Sequence, residues 1–184
     1  MKLPTRRTAS TLLFAAPAVL TLSRTALAAC ASPATPAETE GPYYKAGAPE
    51  RQMLIGREGG ARLTLTGQVL GPDCRPVPSA LLDFWQADEA GRYDNRGWGL
   101  RGRQRADAEG RYRLETVVPG AYPGRTRHLH VKVGRPDGPG ITTQLYFPDE
   151  SGNRRDGLFR PELLMRVAEA RGVKDASFDF VLRS

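Results

Sequence analysis

From residue 62 onward the chain is cut into short runs by turn residues, which leaves little room for long helices. Gly71-Pro72-Asp73, Asp107-Ala108-Glu109-Gly110, Pro119-Gly120 and Arg135-Pro136-Asp137-Gly138-Pro139-Gly140 are the breaks. Glycine supplies left-handed backbone there, proline pre-sets φ and removes a donor, and aspartate bonds its own turn. Between the breaks the residues alternate. Leu63, Leu65 and Val69 alternate with Thr64, Thr66 and Gln68, and Tyr112, Leu114 and Thr116 with Arg111, Arg113 and Glu115. Ala80 to Gln86 is a short apolar run, and further strands are expected at Arg125 to Val133, Ile141 to Phe147 and Phe178 to Leu182. A period of two is that of a strand with one buried face, and many short strands at this spacing predict an all-β fold, a single β-sandwich domain. One short C-terminal helix is also expected, opened by Pro161 and closed by Gly172, with Leu163, Leu164, Val167 and Ala168 on one side.

Residues 1–28 read as an export signal: Lys2, Arg6 and Arg7 precede an apolar stretch from Leu12 to Leu22, and Ala26-Leu27-Ala28 has the small-residue cleavage pattern. That stretch is too short for a comfortable bilayer span, and no later one approaches the length, so no transmembrane segment is expected. Thr5-Arg6-Arg7 resembles a twin-arginine signal, which exports folded proteins. The expected location is therefore the periplasm. Cys30 and Cys74 are the only cysteines. In an oxidising compartment they can pair with each other, whereas Leu27-Ala28-Ala29-Cys30 also resembles a lipoprotein box that would make Cys30 a lipid anchor. Residues 29–61, rich in Pro, Ala, Glu and Thr at their start, form an extended N-terminal arm, and 62–184 the sandwich. The signal carries four cations and no acid, so its removal lowers the net charge from +7 to +3. The remaining excess includes a basic cluster at Arg96, Arg101, Arg103 and Arg105, read as a solvated loop or, beside a pocket, as an attractor for a carboxylate substrate. Without interleaved aromatics it does not make a nucleic-acid groove.

The only two histidines, His128 and His130, are separated by one residue in an alternating run, so both imidazoles project from the same face of one strand. That is a metal-ligand spacing, and it is equally the pattern of an ordinary polar face. Two phenols can join them. Tyr122 precedes His128 by six residues in Pro119-Gly120-Ala121-Tyr122-Pro123, and Tyr93 ends the strand–turn segment that begins at Trp85. Phenolate is a hard anionic oxygen donor; two of them with two neutral imidazoles offset cationic charge and favour ferric over ferrous iron. A metal-bound phenol titrates far below its free value near 10. Two other readings use the same strand: an exported copper-binding module, which needs neither tyrosine, and a structural sandwich module without activity.

Taken in order, Glu40-Gly41-Pro42-Tyr43-Tyr44, Trp85-Gln86 with Gly91-Arg92-Tyr93, Pro119 to Pro123, Arg125 with His128-Leu129-His130, Thr143-Gln144-Leu145-Tyr146-Phe147 and Phe178-Asp179-Phe180-Val181-Leu182 resemble the successive motifs of the intradiol ring-cleavage dioxygenases. The similarity is greatest to the protocatechuate dioxygenase branch. It implies one non-haem ferric iron per chain, held by Tyr93, Tyr122, His128 and His130. The substrates it implies are a catechol-type small molecule and dioxygen, the ring opening between its hydroxyl-bearing carbons to a cis,cis-muconate. Tyr122 would serve as ligand and base in turn. Arg125 matches an arginine that lies against the substrate ring, and Gln144 a polar group beside it. Tyr112 and Tyr146 read as core or rim aromatics, and Tyr43 and Tyr44 as residues that anchor the arm or line the pocket. The stretch between Tyr122 and His128 is shorter than in well-known protocatechuate enzymes, and no helical N-terminal dimerisation segment is legible. The shorter stretch removes part of one pocket wall, and the sequence is compatible with an oligomer.

Overall fold

The computed structural model describes residues 33–56, 59–170 and 172–183. Among these residues nine strands form two sheets. The first has the order β4-β1-β8-β7, with β9 beside the far end of β1; the second has the order β3-β2-β5-β6. The strands are β1 (Arg62–Leu70), β2 (Leu81–Trp85), β3 (Arg101–Arg105), β4 (Arg111–Val117), β5 (His128–Gly134), β6 (Gly140–Tyr146), β7 (Arg166–Ala170), β8 (Val173–Ser177) and β9 (Phe180–Val181). Neighbours are antiparallel except β1 with β8 and β1 with β9. The alternation read from the sequence is the pleat of the sandwich. Leu63, Leu65, Leu82, Phe84, Leu114, Leu129, Val131, Val133 and Leu145 are all buried in the core between the sheets. Burial of each such side chain stabilises by about 1.5–3 kcal/mol. Phe84 reaches Tyr112 across the core at 5.9 Å between centroids, and the Tyr112 hydroxyl donates to the Phe178 carbonyl at 2.8 Å. No helix among the described residues is long and apolar enough to cross a membrane.

The expected C-terminal helix is absent. Pro161–Leu163 makes one 3-10 turn, after which the backbone extends and β7 and β8 form an antiparallel hairpin, with Gly172 (φ +77) in its connection. The reason is tertiary. β8 hydrogen-bonds to β1 from Arg62 to Thr66, so it satisfies backbone groups that a helix would leave at an open edge. The basic cluster is likewise not a loop throughout: Arg101, Arg103 and Arg105 belong to β3, and Arg101 is 1% exposed.

The arm crosses the outer face of the second sheet. Thr35 N–H donates to the Val181 carbonyl, Glu38 N–H to Thr142, and Arg51 N–H to Arg103, and Leu54, 1% exposed, closes the far end. The pleat turns Trp85, Asp83, His128, His130, Gln144 and Tyr146 toward this covered face, opposite to Phe84, Leu129 and Val131.

Candidate metal centre

One cross-strand row on the covered face reads Arg101, Trp85, His130, Gln144. The next position along β5 and β6 pairs His128 with Tyr146. Directly opposed residues stand close enough for side chains to touch. Trp85 stacks on His130 with centroids 4.8 Å apart and planes 9° from parallel, and His128 lies edge-on to His130. The two Nε2 atoms approach to 3.2 Å. His128 Nδ1 is 2.7 Å from the Thr126 carbonyl, which can only accept, so that nitrogen carries the proton and Nε2 carries the lone pair.

The phenols arrive on loops. Tyr93 lies in the connection from β2 to β3 and Tyr122 in the connection from β4 to β5. The loops touch backbone to backbone: Gly120 N–H donates to the Asp88 carbonyl at 2.8 Å, and a Cβ on Gly91 would stand 2.5 Å from the Ala121 carbonyl oxygen. A side chain at either glycine would push the tyrosines apart. Tyr122 Oη is 3.3 Å from His128 Nε2, and the Tyr93 and Tyr122 rings meet edge to face at 5.9 Å. Tyr43 of the arm stacks on Tyr93 at 4.2 Å. The Tyr93 hydroxyl is buried without a well-formed hydrogen bond, as is His130 Nδ1. A buried polar group without such a bond costs about 1–3 kcal/mol, and for the Tyr93 hydroxyl a cation on this face would offset that cost.

Burial, with Arg125 beside it, pushes His128 down to about 4; burial, then His128, pushes His130 down to about 2. Both imidazoles are thus neutral donors at physiological pH. Burial drives the Tyr93 phenol well above its ordinary value, and raises Tyr122 against the opposing pull of Arg125. Without a cation the phenols keep their protons; a cation would take them as phenolates. No group of three or more His, Cys, Asp or Glu side chains gathers among the described residues, and the side-chain oxygen nearest the histidine pair among these contacts is that of Tyr122, 3.3 Å from His128 Nε2. The convergent set of two neutral imidazoles and two phenols suits hard, highly charged iron.

Arg125 and Gln144 stand beside this set. Arg125 Nη1 is 3.5 Å from Tyr122 Oη, and Nη2 donates to Gln144 Oε1. Gln144 is fully buried and donates to the Thr39 carbonyl of the arm. Tyr146 Oη lies 3.0 Å from Gln144 Oε1 and 2.9 Å from the Leu158 carbonyl, while Tyr112 sits in the core. A cleft of about 320 Å³, lined by Tyr122 and Arg125 and by Glu150, Ser151, Gly152, Arg155 and Asp156, opens beside them, within the usual range of small-molecule sites (~300–1,000 Å³).

Sequence reasoning missed Asp156, whose buried carboxylate accepts from Arg125 Nε, and the inward turn of Arg101, which donates to the carbonyls of Tyr43 and Asp94. Arg101 was hidden with β3, whose pairing to β2 places it beside Trp85, and Asp156 sits in a turn with no distinguishing pattern. Cys74 is disulfide-bonded; its expected partner, Cys30, lies outside the described residues, as do the whole of the expected signal and the twin-arginine pattern.

The dioxygenase family model matches residues 39–184. The protocatechuate 3,4-dioxygenase beta chain of Burkholderia cepacia is 37% identical over 67% of this chain and 65% of its own. Catechol 1,2-dioxygenase 2 of Acinetobacter lwoffii is 31% identical over 74% of this chain and 61% of its own. The chain thus spans less than two thirds of either relative. Among solved structures, the dioxygenase domain of a dioxygenase–carbohydrate-binding fusion from Streptomyces sp. SirexAA-E is 49% identical, with a TM-score of 0.80, covering 82% of this chain and 99% of that one.

Proposed function

The chain belongs to the intradiol ring-cleavage dioxygenase family, and from that premise we propose that it cleaves a catechol between its two hydroxyl-bearing carbons, adding both atoms of dioxygen to give a cis,cis-muconate. In this reading Tyr93, Tyr122, His128 and His130 hold one non-haem ferric iron. The observation that carries it is the meeting of two imidazole Nε2 atoms 3.2 Å apart with Tyr122 Oη 3.3 Å from that of His128, and the buried Tyr93 ring edge to face with Tyr122 at 5.9 Å. Ferric iron held by these four side chains would supply positive charge that favours an ionised catechol and an electron-accepting capacity for the oxidation.

The chain's own groups do the rest. Tyr122, which borders the cleft and would be a phenolate while it holds the iron, would take the proton of an incoming catechol hydroxyl and become the neutral phenol. Arg125, 3.5 Å from Tyr122 Oη, stabilises negative charge developing on the substrate, and Gln144 keeps its second nitrogen turned inward. The arm, with Tyr43 against Tyr93, keeps bulk water from the face where the ring is attacked. Export to the periplasm, through the signal pattern of residues 1–28, is part of the same proposal. The test is oxygen uptake by the iron-loaded protein with a panel of catechols, using isotopically labelled dioxygen. Two labelled atoms in a muconate support the reading; a product with one or none overturns it.

A further inference from the structure

Behind the proposed centre lies a polar cluster that none of the readings above employs. Its hub is Asp156, whose side chain is 1% exposed. The carboxylate accepts four hydrogen-bond approaches: Arg125 Nε reaches Oδ1 at 3.1 Å and Oδ2 at 3.0 Å, Thr126 N–H reaches Oδ2 at 2.9 Å, and Leu158 N–H reaches Oδ1 at 2.9 Å. Asn153 completes the cluster by accepting from Thr126 Oγ1 at 2.8 Å and donating to the Phe147 carbonyl at 2.9 Å. These bonds hold the Asp156 carboxyl below the ordinary carboxylate range even though burial opposes them.

Two consequences follow from this geometry. Asp156 engages only the Nε edge of Arg125, so Nη1 and Nη2 are left to face Tyr122, Gln144 and Tyr146. Asp156 also fixes the Thr126 peptide through its N–H, and that residue's carbonyl is the acceptor that sets the proton of His128 on Nδ1 and its lone pair on Nε2. One carboxylate therefore controls the aim of the arginine and the tautomer and ring plane of a histidine. Partners behind a ligand orient it and typically change metal affinity or activity by about 10- to 100-fold when lost.

We propose that Asp156 is a positioning residue for ring cleavage, acting through Arg125 and through the Thr126 carbonyl on His128. The inference rests on the function proposed above. The test compares wild type, Asp156→Asn, Arg125→Ala and the double variant as iron-loaded proteins, together with the exchange of the Arg125 Nε–H in the metal-free wild type, observed by proton–nitrogen NMR. Asp156→Asn is expected to lower kcat by about 10- to 100-fold, with a change in anaerobic catechol affinity below about 3-fold. Its added effect on kcat in the Arg125→Ala background should be several-fold smaller, because the arginine it aims is gone. The Arg125 Nε–H should exchange slowly. Wild-type kcat in Asp156→Asn overturns the proposal, and so does an equal loss in both backgrounds. If Asp156→Asn does not fold, the exchange measurement decides: an Nε–H that exchanges as fast as that of an exposed arginine overturns it. That measurement needs neither iron nor substrate, so a wild type that fails to cleave catechols defeats the functional reading while leaving the pinning of Arg125 separately measurable.

Discussion

Replacing Gly91 with alanine should damage the centre without touching any proposed ligand. Gly91 has φ +77, and its Cβ would lie 2.5 Å from the Ala121 carbonyl oxygen and 3.2 Å from Tyr122 Cβ. Normal contact is about 3.5 Å, so the loops carrying Tyr93 and Tyr122 must part by roughly 1 Å. The left-handed backbone costs an alanine about 1–2 kcal/mol. Overpacking adds about 1–3 kcal/mol. Together these give a loss of roughly 2–5 kcal/mol, or a fall in Tm on the order of 10 °C for a chain of this size. Gly124 provides the control, because it has φ +79 and nothing within 4 Å of its Cβ. Gly124→Ala should show the backbone cost alone. Thermal denaturation of both metal-free variants separates the two terms, and iron content reads the displaced tyrosines. If Gly91→Ala melts no lower than Gly124→Ala and binds iron like wild type, the loops are not clamped where the structure has them touching.

Tyr122→Phe and His130→Ala should each depress ring cleavage strongly, and His130→Ala should also lower bound iron; unchanged activity and iron in both would remove them from the ligand set. Stability against pH should carry two opposite signatures. Burial raises the Asp83 carboxyl above its ordinary value near 3.9, so the folded state holds its proton longer, and its contribution is present at low pH and lost as pH rises through the folded value. Asp83→Asn should therefore gain on wild type as pH rises from about 4 toward neutrality; parallel melting curves would contradict the burial argument. Asp156 has the reverse sign: its contribution is complete above about 3.9 and is lost as pH falls through its depressed value. A reducing agent should lower the Tm of exported protein through the cysteines, and alkylation that finds both Cys30 and Cys74 free would refute this.

Much of the sandwich was legible because its strands carry one apolar and one polar face. β1, β2, β4, β5 and β6 lie where alternation or a short apolar run placed them, and the same alternation put His128 and His130 on one face. β3 was hidden because its sequence, Arg-Gly-Arg-Gln-Arg, offers no apolar face: its inward positions are Gly102 and Gln104, with Leu54 of the arm packed close against Gly102. The β7–β8 hairpin was read as a helix because Leu163, Leu164, Val167 and Ala168 happen to fall at helical spacing, and because Pro161 and Gly172 imitate helix ends. Only the unfilled edge of β1, which local sequence does not contain, decides between them. Strand spacing and the motif resemblance brought Tyr93, Tyr122, Arg125 and Gln144 together with the histidines. Asp156 escaped because Asn153-Arg154-Arg155-Asp156-Gly157 has the composition of a solvated turn, and its burial arises only when that turn folds onto Thr126.

The most direct test of the central claim is a visible spectrum with metal analysis on purified protein, before and after anaerobic addition of protocatechuate or catechol. The account predicts about one iron per chain and a broad tyrosinate-to-iron absorption that moves to longer wavelength when the catechol binds. A protein that stays colourless and iron-free after reconstitution with ferrous salt and air would contradict it.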